Sequence, residues 1–438
     1  MKCRSYAPNL LLSLAVLLSL LFPTTAFAQQ QQQQQAAQTT PVLAAGRARL
    51  DELRAAGFEA LYNLDYEGAR HQFKEIVRLF PEHPAGPQFL AATLWTQTLN
   101  ESRRLQSSLY NSESFYGKTD DEVDPVRVEQ FRELTRAATL LARARIRANP
   151  RDTEAIYFLG ATEGLKAAFA AAVQRSFRSA LSDGSNSVDR HREVIKLDPT
   201  FHDAELTIGL YDYVVGTLPL PVKVLVSLGG VRGSKKRGLL TLERVTREGR
   251  YARDDARALL IVLYKREKRF QDALAMSNEL AARYPRNYLF KLESADALMS
   301  QAALERQANN LAAAAASERE ALAIFDALLQ DRAVRERAAR SLDLIHFRYG
   351  DALFTAGKFD PAAREFLASA AVNGAEPALA TLARLRAAQS LDIAGKRNEA
   401  LIQYRTVLQR PDVYNAHEEA KRGLREPYKI RNEKSSSE

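Results

Sequence analysis

The side chains that could carry out catalysis are scattered along this 438-residue chain. Zinc hydrolysis would need H-E-x-x-H on a helix, and acyl transfer would need a serine in a G-x-S-x-G elbow. Neither pattern occurs, and no two histidines stand at ligand spacing; the six are His71, His83, His191, His202, His346 and His417. A site assembled from distant segments stays open. The sequence therefore predicts a non-enzyme with no cofactor and no metal.

Charged residues cluster at several places, and ordinary structural explanations exist for them. The pairs Asp120–Asp121 and Asp254–Asp255 are predicted to lie in a loop and at a helix start, where solvation or capping explains them. The basic run around Lys265 lies at a predicted helix end, where the helix dipole favours positive charge. Binding of an acidic partner, a lipid headgroup or a cell-wall polymer remains the alternative. The formal charge of +9 is a mild excess over a long surface, so we predict no nucleic-acid partner.

Residues 211–238, YDYVVGTLPLPVKVLVSLGGVRGSKKRG, combine four closely spaced glycines with three adjacent basic residues, Lys235, Lys236 and Arg237. Such a segment could cradle a phosphate. The order G-x-x-x-x-G-K-[ST] is absent, however, and no strand precedes it. The favoured interpretation is a structured connection that packs its apolar residues on neighbouring helices. A partner contact or a shallow dip into a membrane surface stays open, but the apolar stretch is too short to span a bilayer.

The elements that must position all of these groups are helices. Only 20 glycines and 16 prolines interrupt the chain, and alanine, leucine, arginine and glutamate dominate the intervals, a composition that favours helix. Small and aromatic residues recur at fixed spacing, because Gly350 and Phe366 repeat the separation of Gly57 and Phe73. A single helical hairpin cannot bury its apolar stripe, so the spacing predicts stacked hairpins.

This pattern resembles the tetratricopeptide repeat, a 34-residue helix-turn-helix unit with small residues where its two helices touch. The resemblance covers residues 45–425. It implies an all-α fold, a right-handed α-solenoid of about eight helix pairs with a C-terminal capping helix. A weaker resemblance, to tetratricopeptide repeat protein family 39, rests on a leucine-proline turn, a glycine-rich loop and a helix opening with glycine and leucine: Leu218, Pro219, Gly229, Gly233, Gly238 and Leu239.

The N-terminal residues predict export. A basic start, an apolar run of about thirteen residues and the triplet at residues 26–28 form a signal peptide over residues 1–28, shorter than the roughly 20 residues of a membrane span. A retained membrane anchor is the alternative. Residues 29–44 are predicted to be a glutamine-rich disordered spacer, and residues 426–438 a disordered polar tail. The single cysteine, Cys3, would be lost on cleavage. We expect a periplasmic, envelope-associated or secreted protein, with membrane association left open.

The repeat register suggests a binding surface. Trp95, Tyr213, Lys265 and Phe354 share the twelfth position of the first helix of their units, which the resemblance implies is groove-facing. The alternative is that the aromatic members are core residues. Exposed aromatic residues carry much of the energy of interfaces. We therefore predict a non-catalytic scaffold that binds a protein or peptide partner, with a glycan- or lipid-binding module and an enzyme between repeats as the alternatives.

Overall fold

The computed structural model describes five ranges of the chain: 44–102, 124–174, 176–218, 233–337 and 341–430. Their regular structure is helical, without strands. The helices are α1 (44–62), α2 (Tyr66–Leu79), α3 (Ala85–Glu101), α4 (Pro125–Ala148), α5 (Thr153–Ala172), α6 (Phe177–Leu197), α7 (Glu205–Thr217), α8 (Lys235–Glu248), α9 (Arg253–Arg266), α10 (Phe270–Arg283), α11 (Tyr288–Gln307), α12 (Leu311–Gln330), α13 (Arg332–Arg337), α14 (Leu342–Thr355), α15 (Phe359–Ala371), α16 (Pro377–Ile393), α17 (Arg397–Leu408) and α18 (Ala416–Arg425). A short 3₁₀ helix, His202–Ala204, precedes α7.

The chain divides into two compact units, Met1–Ala56 and Gly57–Glu438. The described part of the first unit is the beginning of α1. In the second unit each helix from α2 to α12 packs on the next, and so does each helix from α14 to α17. The short helix α13 packs on α12, and α14 also contacts α12. In addition, α3 contacts α5, α9 contacts α11, and α14 contacts α16. The pairs are therefore stacked in chain order, with α18 packed on α16 and α17. The predicted all-α solenoid with a final capping helix is confirmed.

Glycine positions confirm the repeat register at two places far apart in the chain. A Cβ atom on Gly57 would lie 2.2 Å from Cε1 of Phe73, and one on Gly350 would lie 2.7 Å from Cδ1 of Phe366. Both phenylalanines are fully buried. At each site the first helix approaches the ring of its partner helix so closely that only glycine fits.

The same kind of contact explains part of the glycine-rich segment. A Cβ on Gly238 would lie 2.6 Å from the carbonyl oxygen of Gly209, so α7 and α8 cross in close contact. Lys235 pairs with Glu267 at 2.7 Å, and Arg237 pairs with Asp212. These contacts agree with a packed connection, whereas residues 219–232 lie outside the described residues.

Two local features of the chain depend on contacts between helices. Residues 181–187 lie inside α6, where Ser187 Oγ donates to the carbonyl of Gly160 at 2.7 Å and so fixes α6 on α5. Asp360 lies in the first turn of α15, which begins with no side-chain cap, and its carboxylate pairs with Arg364 and Lys396.

A long-range contact within the second unit joins the end of α1 to the middle of the chain. The ring of Tyr62 stacks on Tyr284 with centroids 4.9 Å apart, and its hydroxyl donates to Asp255. Asn287 Nδ2 donates to the carbonyl of Tyr62 at 2.8 Å. The helix start predicted for Asp254 and Asp255 is confirmed, but Asp254 is buried and accepts from the Tyr284 hydroxyl rather than facing solvent.

The predictions for the chain termini remain predictions. The signal peptide and all but the last residue of the spacer lie outside the described residues, and α1 begins at that last residue, 44. In the predicted tail, residues 426–430 are non-helical, and 431–438 lie outside the described residues. Of the helices that the structure describes, none is long and apolar enough to cross a membrane.

Candidate partner-binding surface

Trp95 lies on α3, partly buried in a cluster where α3, α4 and α5 meet. Its neighbours there include Phe131 and Phe169, whose rings stack with centroids 3.8 Å apart. The indole therefore packs against a hydrophobic core on one side. The structure places it in this cluster and not beside the other three residues of the predicted surface.

Tyr213 is a core residue. Its side chain, on α7, is 1% exposed and packs against Leu242 of α8 and Leu260 of α9. Its hydroxyl donates to Glu267 Oε1 at 2.7 Å. Burial, together with the acceptor carboxylate, raises the pKa of Tyr213 above its ordinary range. This environment agrees with the alternative that the aromatic residues belong to the core. A partner could reach Tyr213 only if α7 moved.

Lys265, near the end of α9, is 8% exposed and is paired rather than free. Its ammonium group donates to Glu293 and, at 2.7 Å, to Asp296, both on α11. Burial alone would lower the pKa of Lys265, but the two carboxylates outweigh it and raise the pKa. A buried lysine keeps its charge in this way only when carboxylates surround it.

This pairing continues across the next helices. Arg348 of α14 donates to Asp296, and Arg386 of α16 donates to Asp351 of α14 at 3.1 Å. Arg348 and Asp351 also approach to 3.8 Å. Positive and negative side chains thus alternate across α9, α11, α14 and α16, the first helices of four consecutive pairs. We call these residues the charge ladder: Lys265, Glu293, Asp296, Arg348, Asp351 and Arg386.

The side chains of the charge ladder are only partly exposed to solvent. Its side chains are between 5% exposed, for Lys265, and 28% exposed, for Asp351. Burial would raise the pKa of Asp296, yet Arg348 and Lys265 hold it well below the usual range of an aspartate. Lys265, Asp296 and Arg348 are therefore charged at neutral pH. Partly buried charges interact strongly, and removing one partner leaves the other uncompensated.

Phe354 lies at the α16 end of the ladder. The Arg386 guanidinium stands over its ring, 4.2 Å from the centroid, and Phe359 meets the ring edge-on with centroids 5.3 Å apart. The ring is half-buried against the core formed around α14. Lys265 and Phe354 therefore belong to one connected surface, and Trp95 and Tyr213 do not. Whether any of the four contacts a partner stays a prediction.

The other residues of the charge ladder were missed at the sequence level. A signal for them exists, because Arg348 and Arg386 each stand two residues before a small core residue, Gly350 and Ala388 respectively. A charged residue repeated at one register position would have indicated a shared face. Among their acidic partners, Glu293 likewise stands two residues before a small core residue, Ala295. Among the described residues, no group of three or more His, Cys, Asp or Glu side chains is arranged to hold a metal ion.

Comparison with known proteins adds the following. No protein-family model matches the sequence, and a search of curated proteins finds no match. Solved structures that the chain matches include a human IFIT1 dimer with m7Gppp-AAAA, 12% identical over 84% of this chain and 80% of that one, with a TM-score of 0.44. Yeast Tom70 is 10% identical over 84% and 86%, with a TM-score of 0.35. A tetratricopeptide repeat protein from Parabacteroides merdae is 11% identical over 77% and 99%, with a TM-score of 0.31. The solenoid fold rests on the helix packing of the chain itself.

Proposed function

We propose that this chain is an exported, non-catalytic scaffold that binds a protein or peptide segment along the charge ladder. The observation that carries the proposal is the alternation of charge across the first helices of four consecutive pairs. In the repeat that the chain resembles, these helices line the inner face of the solenoid. Export is supported by the sequence pattern of residues 1–28 alone.

The spacing of the ladder suits an extended peptide. Packed helices stand about 8–10 Å apart, and an extended polyproline II chain advances about 3.1 Å per residue with three residues per turn, so one step between ladder helices matches about one turn of the peptide. A peptide with a charged side chain at every third position could therefore place one charge opposite each successive helix of the charge ladder. Both signs of charge are present on the ladder, as electrostatic complementarity to a mixed-charge segment requires.

The Phe354–Arg386 pair is the proposed anchor at one end of the surface. An aromatic ring covered by a guanidinium offers apolar area and a donor fork at the same place, the combination that is enriched in interface hot spots. The alternative function, a module for glycan or lipid, would use the same aromatic ring but has less use for the paired carboxylates. No reacting group is needed in either case.

Site-specific photo-crosslinking tests this proposal. A photoreactive phenylalanine analogue at position 354 should capture a protein partner, whereas the same group at the exposed residue Ile402, on the second helix of the last pair, should not. Addition of Arg386→Gln should weaken capture at position 354. Equal capture at both positions, or adducts that are nuclease-sensitive, would contradict the proposal. Retention on cell-wall or lipid preparations with no protein adduct would favour the alternative.

Export is tested separately. We expect the mature chain to be recovered outside the cytoplasm with Gln29 as its first residue, because cleavage is predicted after Ala28. N-terminal sequencing of the fractionated protein measures this directly. A chain that retains Lys2 and Arg4 in the membrane fraction would support the anchor alternative instead.

A further inference from the structure

Two arginines of the last helix pair lie side by side, with no carboxylate partner among the residues that the structure describes. Arg384 is on α16, and Arg410 follows the end of α17. Arg410 Nε donates to Thr381 Oγ1 at 3.0 Å, and Thr381 is three residues before Arg384 on the same helix. Residues three apart on a helix share a face, so the Arg410 guanidinium lies next to the Arg384 side chain.

The acceptors around these arginines are neutral. Arg384 donates to the amide oxygen of Gln403 at 2.9 Å, and Arg410 donates to the hydroxyl of Thr381 and the carbonyl of Pro377. Within the described ranges neither arginine forms an ion pair with a carboxylate. The carboxylate nearest in sequence, Asp412, instead accepts from the backbone N–H of His417 at 3.0 Å.

One donor of the pair is both buried and unused. Arg384 Nε is shielded from solvent, and no acceptor in the described part of the chain reaches it. Burial, and then the charge of Arg410, lower the pKa of Arg384. Two like charges held together with an unsatisfied donor form an arrangement that raises the free energy of the unliganded protein.

We propose that Arg384 and Arg410 form a binding site for a phosphate group. Each guanidinium has five N–H donors in a rigid planar fork, and more than half of the ten remain without a protein acceptor. A phosphate monoester or inorganic phosphate carries a charge of about −1.5 to −2 at neutral pH, which matches two guanidinium groups. A single carboxylate would neutralise only one of them. The site is separate from the charge ladder and does not depend on the proposed scaffold function.

Titration of the purified full chain with inorganic phosphate, at ionic strength held constant with chloride, tests the site. We expect phosphate to raise the melting temperature and to give measurable heat of binding. Arg384→Gln and Arg410→Gln should each weaken the affinity roughly tenfold or more, because each removes a charge-assisted donor. Arg405→Gln, which removes the same charge from an exposed position of α17, should leave the affinity unchanged.

A second measurement separates a ligand site from a purely structural role. In phosphate-free buffer, Arg384→Gln should melt at the same or a higher temperature than the parent chain, because one of two adjacent like charges is gone. Arg384→Lys, which keeps the charge but loses the fork, should fold and bind phosphate weakly. A lower melting temperature for Arg384→Gln with an unchanged phosphate affinity, or no phosphate binding by the parent chain, would overturn the proposal.

Binding to lipid vesicles distinguishes a lipid headgroup from a soluble phosphate compound as the source of the phosphate. With the phosphate titration positive, retention of the parent chain and of Arg405→Gln on vesicles that contain phosphatidic acid, whose headgroup is a phosphate monoester, and loss of retention for both Arg384→Gln and Arg410→Gln, would assign the group to a lipid headgroup. Absence of retention would assign it to a soluble phosphate compound. Retention that is equal for all four proteins, with no phosphate titration, would refute the site.

Discussion

His191 makes the stability of the α5–α6 pair depend on pH. Its ring is 2% exposed and lies flat against Tyr157, with Nε2 donating to the Tyr157 carbonyl at 3.3 Å. A Cβ on Gly160 would be 2.7 Å from the ring, so the ring lies directly against the backbone of α5. Burial lowers the pKa of His191 to about 4, and the carbonyl contact offsets only part of that effect.

The sign and size of the effect follow from this value. The folded-state pKa lies below the value of about 6.5 in an unfolded chain, so the unfolded state binds the proton first as pH falls. The contribution of His191 is fully present above about pH 6.5 and is lost progressively down to about pH 4. Between about pH 7.5 and pH 5 the expected loss of unfolding free energy is about 2 kcal/mol.

Urea unfolding of the full chain, followed by circular dichroism at these two pH values, measures the loss. His191→Gln keeps a donor for the Tyr157 carbonyl but does not titrate, so its stability should change less between the two pH values. Glu163 of α5 changes stability with pH in the direction opposite to His191, because burial raises the pKa of its carboxyl group. Glu163 is present in both the parent chain and His191→Gln, so its effect cancels in the comparison. His71→Gln, at an exposed position of α2, is the matched control.

A parent chain and a His191→Gln variant that lose the same stability between the two pH values would refute this reasoning. So would a His71→Gln variant that behaves like His191→Gln. Because repeat proteins can unfold in parts, the comparison should use the transition that reports on α5 and α6 rather than a single global midpoint.

Three further predictions concern packing and charge. Gly350→Leu should lower the free energy of unfolding by about 1 to 3 kcal/mol, because the new side chain collides with the Phe366 ring. Thermal melting measures this loss, and an unchanged melting temperature would mean that the repeat register is wrong. Tyr213→Ala should lower the free energy of unfolding by about 3 to 5 kcal/mol in chemical denaturation, as truncation of a buried aromatic does, whereas Tyr213→Phe should lose only about 1 kcal/mol for the hydrogen bond to Glu267. A near-neutral Tyr213→Ala variant would show that Tyr213 is exposed and not part of the core. Lys265→Ala should cost about 3 to 5 kcal/mol, because it leaves two carboxylates of the charge ladder without their shared cation; a loss below about 1 kcal/mol in the same assay would show that the ladder is solvated.

The fold was largely predictable from the sequence. The separation of Gly57 from Phe73 recurs between Gly350 and Phe366, and each separation joins the two helices of one hairpin. Such contacts are local, so their geometry is fixed by helical periodicity and a short turn. The order of helices and the capping helix followed from the same local rules.

Tertiary contacts override local preferences at some positions. Residues 181–187, which include a glycine, three serines and an asparagine with low helix propensity, remain helical within α6, where Ser187 is bound to Gly160 of α5. Helix propensity is a weak preference, and packing overrides it. Asp254, expected to be explained by solvation or capping at a helix start, is buried against Tyr284 for a similar reason.

The sequence by itself determined the helices, the pairing of neighbours and the positions where only glycine fits, because these depend on residues within one repeat. Only the tertiary structure brought the residues of the charge ladder together. The ladder contacts join residues 28, 52 and 35 positions apart, and Tyr62 meets Asp255 across 193 positions. Insertions change these separations from one repeat to the next, so no fixed period marks them. Which side chains meet across stacked helices depends on how each helix pair is rotated relative to the preceding pair. That rotation is determined by the packed core.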